Sequence, residues 1–204
     1  MSPAGKKGLV VGIANERSIA FGCAQSFRTA GADLAITYLN AKAEPYVRPL
    51  AEALQSPIIV PCDVREPGQL ETLFARIEKE WGRLDFLLHS IAFAPKEDLH
   101  SRITDSSQAG FALAMDVSCH SFIRMARLAE PLMKDGWCLL TVTFYGSEKV
   151  VEEYNLMGPV KAALESSVRY MAAELGPKHI RVHTRAAQNA GRLRYRSLRR
   201  AFGA

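Results

Sequence analysis

The sequence predicts a single α/β domain in which helices cover both faces of a doubly wound, mostly parallel sheet, and three observations lead there. Apolar runs of strand length alternate with longer segments of helical period. The runs are short and almost unbroken in hydrophobicity, as strands covered on both faces must be. The 204 residues suit one domain with one sizeable core. In order, a strand is read at 8–14 (GLVVGIA) and a helix at 18–30 (SIAFGCAQSFRTA), then a strand at 33–38 (DLAITY) and a helix at 43–54 (AEPYVRPLAEAL). A strand at 58–60 (IIV) precedes a helix at 67–81, and a strand at 84–90 (LDFLLHS) precedes one long helix at 107–133. The strand at 138–143 (CLLTVT), a helix at 155–175 and a strand at 180–183 (IRVH) complete the alternation. Parallel neighbours need a crossover back over the sheet, which is what the intervening helices supply.

Charge and cysteine usage exclude several functions. The formal net charge of +5 is misleading until located: residues 184–204 hold Arg185, Arg192, Arg194, Arg196, Arg199 and Arg200 with no acid, leaving −1 (+5 − 6) for the rest. Such a tail reads as solvated and disordered rather than as a nucleic-acid module, because it lacks interleaved aromatic platforms beyond Tyr195. No stretch approaches the ~20 unbroken apolar residues of a membrane span, so a cytoplasmic, soluble protein is expected. Cys23, Cys62, Cys119 and Cys138 are far apart with no CxxC pair, which suits reduced structural thiols and no metal site.

Three segments could carry chemistry. From Gly12 to Gly22 the chain reads GIANERSIAFG, a turn from strand to helix N-terminus. There Gly12 permits close backbone approach to a pyrophosphate, Ser18 supplies a hydroxyl, and the helix end offers free N–H groups. An ordinary turn with a Ser N-cap fits the same residues. Asp63 follows the third strand, where a carboxylate can accept an adenine amine or simply shape a turn. At the end of the fourth strand stands His89-Ser90-Ile91-Ala92, small enough for a ribose or nicotinamide to approach; His89 itself reads as a satisfied structural histidine. The third segment, Tyr154-Asn155-Leu156-Met157-Gly158-Pro159-Val160-Lys161, places a phenol and an ammonium seven residues apart. In a helix beginning near Tyr154 that is nearly two turns, about 10 Å along one face. The phenol can donate to a carbonyl oxygen as charge develops, and the ammonium would stabilise that charge and favour the phenolate. A boundary Tyr and a solvated Lys on an amphipathic helix remain the alternative.

Taken together, GIANERSIAFG, PCDV, HSIAFAP and YNLMGPVKAALESSVRYMAAELGPKHIRVH resemble the NADH-dependent enoyl-acyl carrier protein reductases of bacterial fatty-acid synthesis, within the short-chain dehydrogenase superfamily. The resemblance runs from Lys6 to His183, and the Tyr-x6-Lys spacing sets this group apart from Tyr-x3-Lys relatives. It implies a Rossmann-like dinucleotide domain over 1–183 and a homotetramer acting on an enoyl thioester carried by acyl carrier protein. Tyr154 would bind the thioester oxygen and Lys161 the nicotinamide ribose. Gly12, Ser18 and Ile19 would line the pyrophosphate and ribose, Asp63 and Val64 would hold adenine, and Ile91 and Ala92 would flank the cofactor. NADH is expected because Tyr38-Leu39-Asn40 offers no Arg for a 2′-phosphate. An inactive NAD-binding fragment, or a short-chain dehydrogenase acting on a carbonyl, is the alternative.

Two departures from the family pattern stand out. Phe144 occupies the position of a second tyrosine, with Tyr145 on the opposite face of a strand. After His183 the expected nicotinamide loop, substrate-covering helices and last strand give way to the arginine-rich segment 184–204. A back-translation of 188–204 with chosen synonymous codons, read one base later, gives RTRAACGIARFDELLE, which resembles the family's continuation. The expectation for the tail is therefore a reading-frame slip, with a site lacking its cover and a sheet lacking its closing strand.

Overall fold

A computed structural model describes residues 2–186. Its elements follow the predicted alternation: β1 (Lys7–Val11), α1 (Ile19–Thr29), β2 (Asp33–Tyr38), α2 (Glu44–Ala53), β3 (Ile58–Pro61), α3 (Gln69–Trp81), β4 (Phe86–His89), α4 (Lys96–His100), α5 (Gln108–Met115), α6 (Ser121–Ala129), β5 (Trp137–Thr143), α7 (Met157–Leu175) and β6 (Ile180–Ala186). All strand pairs are parallel, in the order β3-β2-β1-β4-β5-β6. The order reverses direction at β1, so the sheet is doubly wound and its switch point lies between β1 and β4. No described helix is long and apolar enough to cross a membrane. The readings made on 187–204 lie outside the described residues.

Besides shifts of one or two residues at other ends and the unread α4, four differences from the sequence reading have a physical reason. The first strand ends at Val11, not residue 14, because Gly12 turns to φ +107°, outside the β region. The single helix read at 107–133 is α5 and α6 joined through a π-helical turn at Asp116–His120, then a 3₁₀ turn at Glu130–Leu132. A period-3.6 pattern does not register one extra residue per turn. α7 begins at Met157, so Tyr154 stands in the turn before it; Glu153 (φ +62°) and Asn155 (φ +29°) bend that turn. β6 runs on to Ala186 because Thr184, Arg185 and Ala186 pair with Thr141, Val142 and Thr143.

The core forms where the parallel strands meet both helical layers. Phe27, Phe86 and Trp137 stack in series at 4.8 and 5.4 Å between ring centroids. Gly8 makes this possible: a Cβ there would fall 2.0 Å from Cζ of Phe86. All four cysteines are buried and free, and burial pushes the thiols of Cys23, Cys62 and Cys138 up to about 12. They pack as small apolar groups.

At the opposite edge of the sheet from the switch-point loops, Asp85 is buried between β1 and β4. Its carboxylate accepts the Lys7 backbone N–H at 2.7 Å, Lys6 Nζ at 3.1 Å and Arg83 Nη2 at 2.7 Å. Burial alone would raise its pKa, but the Lys7 amide, then Arg83 and Lys6, outweigh it and hold the carboxyl below its ordinary 3.8. A depressed carboxylate contributes stability above the unfolded-state value, and the contribution disappears as pH falls through the folded one. Replacing Asp85→Asn should lower unfolding free energy at pH 7 by about 2 kcal/mol, at the low end for a broken buried pair because Lys6 and Arg83 are partly solvated. Urea titrations of both proteins at pH 7 and pH 3 check this, with the difference shrinking in acid.

Candidate functional site

The carboxyl ends of β1, β4 and β5 converge on two neighbouring cavities that share Ser90, Ile91 and Ala92. The first, of about 270 Å³, is walled by Gly12, Ile13, Thr37, Asp63, Val64 and Phe93. The second, of about 390 Å³, is walled by Ile19, Thr143, Phe144, Tyr154 and Lys161. Strand order and helix placement thus gather residues from separate strand ends, loops and helices, as open α/β sheets do at a switch point.

Gly12 follows directly on the last β1–β4 pair, Val11 with His89. A Cβ at Gly12 would lie 2.1 Å from the carbonyl oxygen of Ser90, and its φ of +107° is one that L residues rarely adopt. Ser18 is the residue before α1, yet its hydroxyl does not cap that helix. Instead Ser18 Oγ accepts the backbone N–H groups of Ala14 and Asn15, each at 3.0 Å, and so fixes the turn that carries the helix end to the cavities. Among the first amides of α1, those of Phe21 and Gly22 donate to the Ser18 carbonyl, while Ile19 and Ala20 precede the first acceptor of the helix.

Asp63 is buried, but not waiting alone for a ligand. Arg65 grips it through Nε at 2.9 Å and Nη2 at 2.6 Å, and the Arg65 hydrogen bond keeps the carboxyl below its usual range. Val64 lies beside it, its carbonyl taking Arg124 Nη2 at 2.9 Å. Asn40, beyond β2, accepts the amides of Lys42 and Ala43 and shapes the turn into α2.

Lys161 is nearly inaccessible in the first half of α7, and its Nζ donates to the carbonyl of Val142 at 2.7 Å. Burial pulls its pKa down to about 8. An ammonium has three donors, so two remain for the cavity. Tyr154 packs on Phe144 at 4.7 Å between centroids, and its ring fills the space over Gly146, where a Cβ would come within 2.4 Å. Burial raises Tyr154 to about 12. The sequence reading that Lys161 would favour a phenolate meets an opposing effect here: burial alone sets the direction, away from the phenolate. The helical argument for the pair is corrected. Tyr154 reaches the Lys161 cavity from a turn with two positive-φ residues, not from one helix face.

His89 is inert. Its Nδ1 and Nε2 lie 2.9 Å from Thr141 Oγ1 and 2.8 Å from Ser121 Oγ. Ser121 spends its proton on the carbonyl of Val117, so Nε2 carries the imidazole hydrogen and Nδ1 accepts from Thr141. Burial, then the charge of Lys161, pulls the ring down to about 3, so it stays neutral. Sequence reasoning missed other members of the site. Ser118, on the π-helical turn, accepts the Phe93 amide at 2.9 Å and donates to the Phe93 carbonyl at 3.0 Å. It pins the strand-end loop the way a paired backbone would. Arg65 lies 6.0 Å from the centroid of Phe93 and closes the same wall. No local pattern announces either contact.

Two adjoining cavities with different chemistry fit the two ends of a dinucleotide. One has a clamped carboxylate and exposed loop backbone; the other has a phenol and an ammonium. Gly12 on the first cavity leaves no room for a Cβ, and Ile19, the first residue of α1, lines the second.

The model of a family described as enoyl-(acyl carrier protein) reductase matches residues 12–188. A protein of Rhizobium meliloti named enoyl-(acyl carrier protein) reductase (NADH) 1 is 43% identical over 199 residues, covering 94% of this chain and 73% of its own length. The crystal structure of the corresponding Anaplasma phagocytophilum reductase in complex with NAD superposes with TM-score 0.88 at 45% identity, over 90% of this chain and 71% of that one. The Aquifex aeolicus NADH reductase superposes with TM-score 0.90 at 43% identity, over 93% and 75%.

The Gly12 contact yields a direct test. Gly12→Ala should force β1 and β4 apart at their carboxyl ends, costing about 2 kcal/mol or more from strain and overlap. It should also weaken NADH binding more than tenfold, read by fluorescence titration of protein that still melts cooperatively.

Proposed function

This chain belongs to the enoyl-(acyl carrier protein) reductase family, and we propose that it reduces trans-2-enoyl thioesters through Tyr154 and Lys161. Bound NADH supplies hydride to the β-carbon of a substrate carried by acyl carrier protein. Every other contribution comes from the chain. Tyr154, held protonated, donates its hydroxyl hydrogen bond to the thioester oxygen, where negative charge collects as the double bond is reduced. Lys161, oriented by Val142, uses its remaining donors on the nicotinamide ribose and adds positive charge to the same cavity. Ile91 and Ala92 flank the cofactor, Gly12, Ser18 and Ile19 serve its pyrophosphate and ribose, and Asp63 with Val64 holds adenine.

The observation that carries this reading is the shared cavity: Tyr154 and Lys161 face Ile91 and Ala92 across one space at the switch point. NADH use is supported by Asn40, whose side chain is committed to its own turn and offers no positive charge to a 2′-phosphate. We assign residues 1–183 to one dinucleotide-binding unit, working in the cytoplasm. A homotetramer is supported by α5, which exposes Ala109, Phe111 and Ala112 on one apolar element.

Purified protein should oxidise NADH in the presence of crotonyl thioester; binding of NADH without such oxidation would overturn the assignment for this chain. Tyr154→Phe should lower kcat/KM by about 100-fold while changing NADH affinity less than twofold, because the hydroxyl acts on the developing charge. Lys161→Ala should weaken NADH binding about tenfold or more as well as turnover, since a charged hydrogen bond to the ribose is lost. Parallel steady-state kinetics and NADH fluorescence titrations separate the two roles.

A further inference from the structure

One carboxylate with no part in the roles above bonds both ends of the segment that seats Tyr154. Glu165 stands one turn after Lys161 on α7, and a single oxygen, Oε1, gathers two hydroxyls. Thr143 Oγ1, at the end of β5, donates to it at 2.5 Å. Ser147 Oγ lies 2.6 Å from the same atom and 2.9 Å from the Phe144 carbonyl, and the shorter, charged acceptor is the stronger claim on its one proton. Between Thr143 and Ser147 lie Phe144 and Gly146, the two residues against which the Tyr154 ring is seated. The peptide carbonyl just before Thr143 belongs to Val142, the acceptor that orients Lys161.

We propose that Glu165 is the positioning residue of the Tyr154–Lys161 pair: its carboxylate ties down both ends of the 143–147 segment that seats the phenol, and its charge supports the ammonium. This inference rests on the enoyl-reductase reading for the meaning of the pair, and on geometry for the link. A shorter side chain that removes the acceptor would loosen the 3₁₀ turn Tyr145–Ser147, leaving it to the backbone bonds from Ser147, Glu148 and Lys149 and to the Ser147 hydroxyl on the Phe144 carbonyl. The Tyr154 ring would then lose its fixed seat, and effective catalysis depends on sub-ångström placement of such a donor.

The electrostatic half of the role is separable from the mechanical half. Groups facing Lys161 are Cys119 from the π-helical turn, the neutral ring of His89 from β4, Tyr154 from the preceding turn, and Glu165 on its own helix. Glu165 and Cys119 act to raise the Lys161 pKa against the dominant lowering by burial. Removing the negative charge of Glu165 therefore destabilises the ammonium, and the loss of charge on raising pH should come earlier.

The test uses the full chain, Glu165→Gln and Glu165→Ala, with NADH affinity measured from pH 6 to 10 and thermal melts as a control. Wild-type affinity should fall as pH rises through about 8. In Glu165→Gln, which keeps an acceptor oxygen for the two hydroxyls, the fall should move to lower pH with the melting temperature nearly unchanged. Glu165→Ala should add about a tenfold loss of kcat/KM, and this loss should disappear in a Tyr154→Phe background because both substitutions spoil the same donor. An unshifted pH profile in Glu165→Gln, or a full tenfold loss persisting beside Tyr154→Phe, overturns the role of Glu165. Wild-type protein that binds no NADH at any pH overturns the functional reading instead, so the two failures are distinct. If Glu165→Ala does not fold, the pH profile of Glu165→Gln decides alone.

Discussion

The architecture of the site depends on how closely β1 and β4 approach at their carboxyl ends. Gly12 presses against the Ser90 carbonyl with no space for a side chain, and this contact sets the shared wall, Ser90 to Ala92, between the two cavities. Register does the rest. Val11 pairs with His89, and His89 with Thr141, so the three strands reach the switch point level with one another. A parallel sheet has no turn between neighbouring strands to fix that alignment; it is set by the buried side chains above and below. The chain of Thr141, His89 and Ser121 crosses from β5 through β4 to α6, and because every polar atom in it is paired it locks the register instead of weakening the core.

Three polar groups near the cavities are held by partners that leave part of their capacity unused. Lys161 spends one donor on Val142. Ser18 spends its lone pairs on two amides and keeps its proton. Asp63 takes three N–H groups of Arg65, its amide and two of its guanidinium, which leaves about one of a carboxylate's four acceptor positions for an amine. Rigid first contacts with spare capacity are what a binding surface needs, since the cost of ordering these side chains has already been met in the fold.

The fold was legible in the sequence because the hydrophobic periods are strong and the strands are buried on both sides. All six strands and the helices bracketing them were read near their observed places. The site was legible in part. Gly12, Asp63, Val64, Ile91 and Ala92 do meet in the first cavity or its wall, and Ile19, Tyr154 and Lys161 meet in the second. What could not be read were contacts made across long sequence gaps by residues with no motif: Ser118 to Phe93 over 25 residues, and Glu165 to Thr143 over 22. The π-helical turn that delivers Ser118 was hidden because it differs from the α pattern by one residue. The position of Tyr154 was misread for a related reason, since positive φ at Glu153 and Asn155 is not visible in residue types that usually avoid it.

Burial acts in opposite senses on the two groups at the centre of the site, and the result suits both. A phenol is neutral when protonated, so desolvation raises Tyr154 to about 12 and secures its hydrogen. An ammonium is charged when protonated, so the same desolvation lowers Lys161 to about 8 and brings it close to losing its proton. A deeper Lys161 would be lowered further and a more exposed Tyr154 raised less, because the same desolvation sets both directions. The difference in depth is built into the chain: Lys161 lies within α7 with its head on a strand carbonyl, whereas Tyr154 stands in the turn ahead of that helix, stacked on one aromatic ring. A continuous helix from Tyr154 to Lys161 would have put both groups on one surface at comparable depth. The bend at Glu153 and Asn155 keeps Tyr154 out of that helix, so the phenol is less deeply buried than the ammonium.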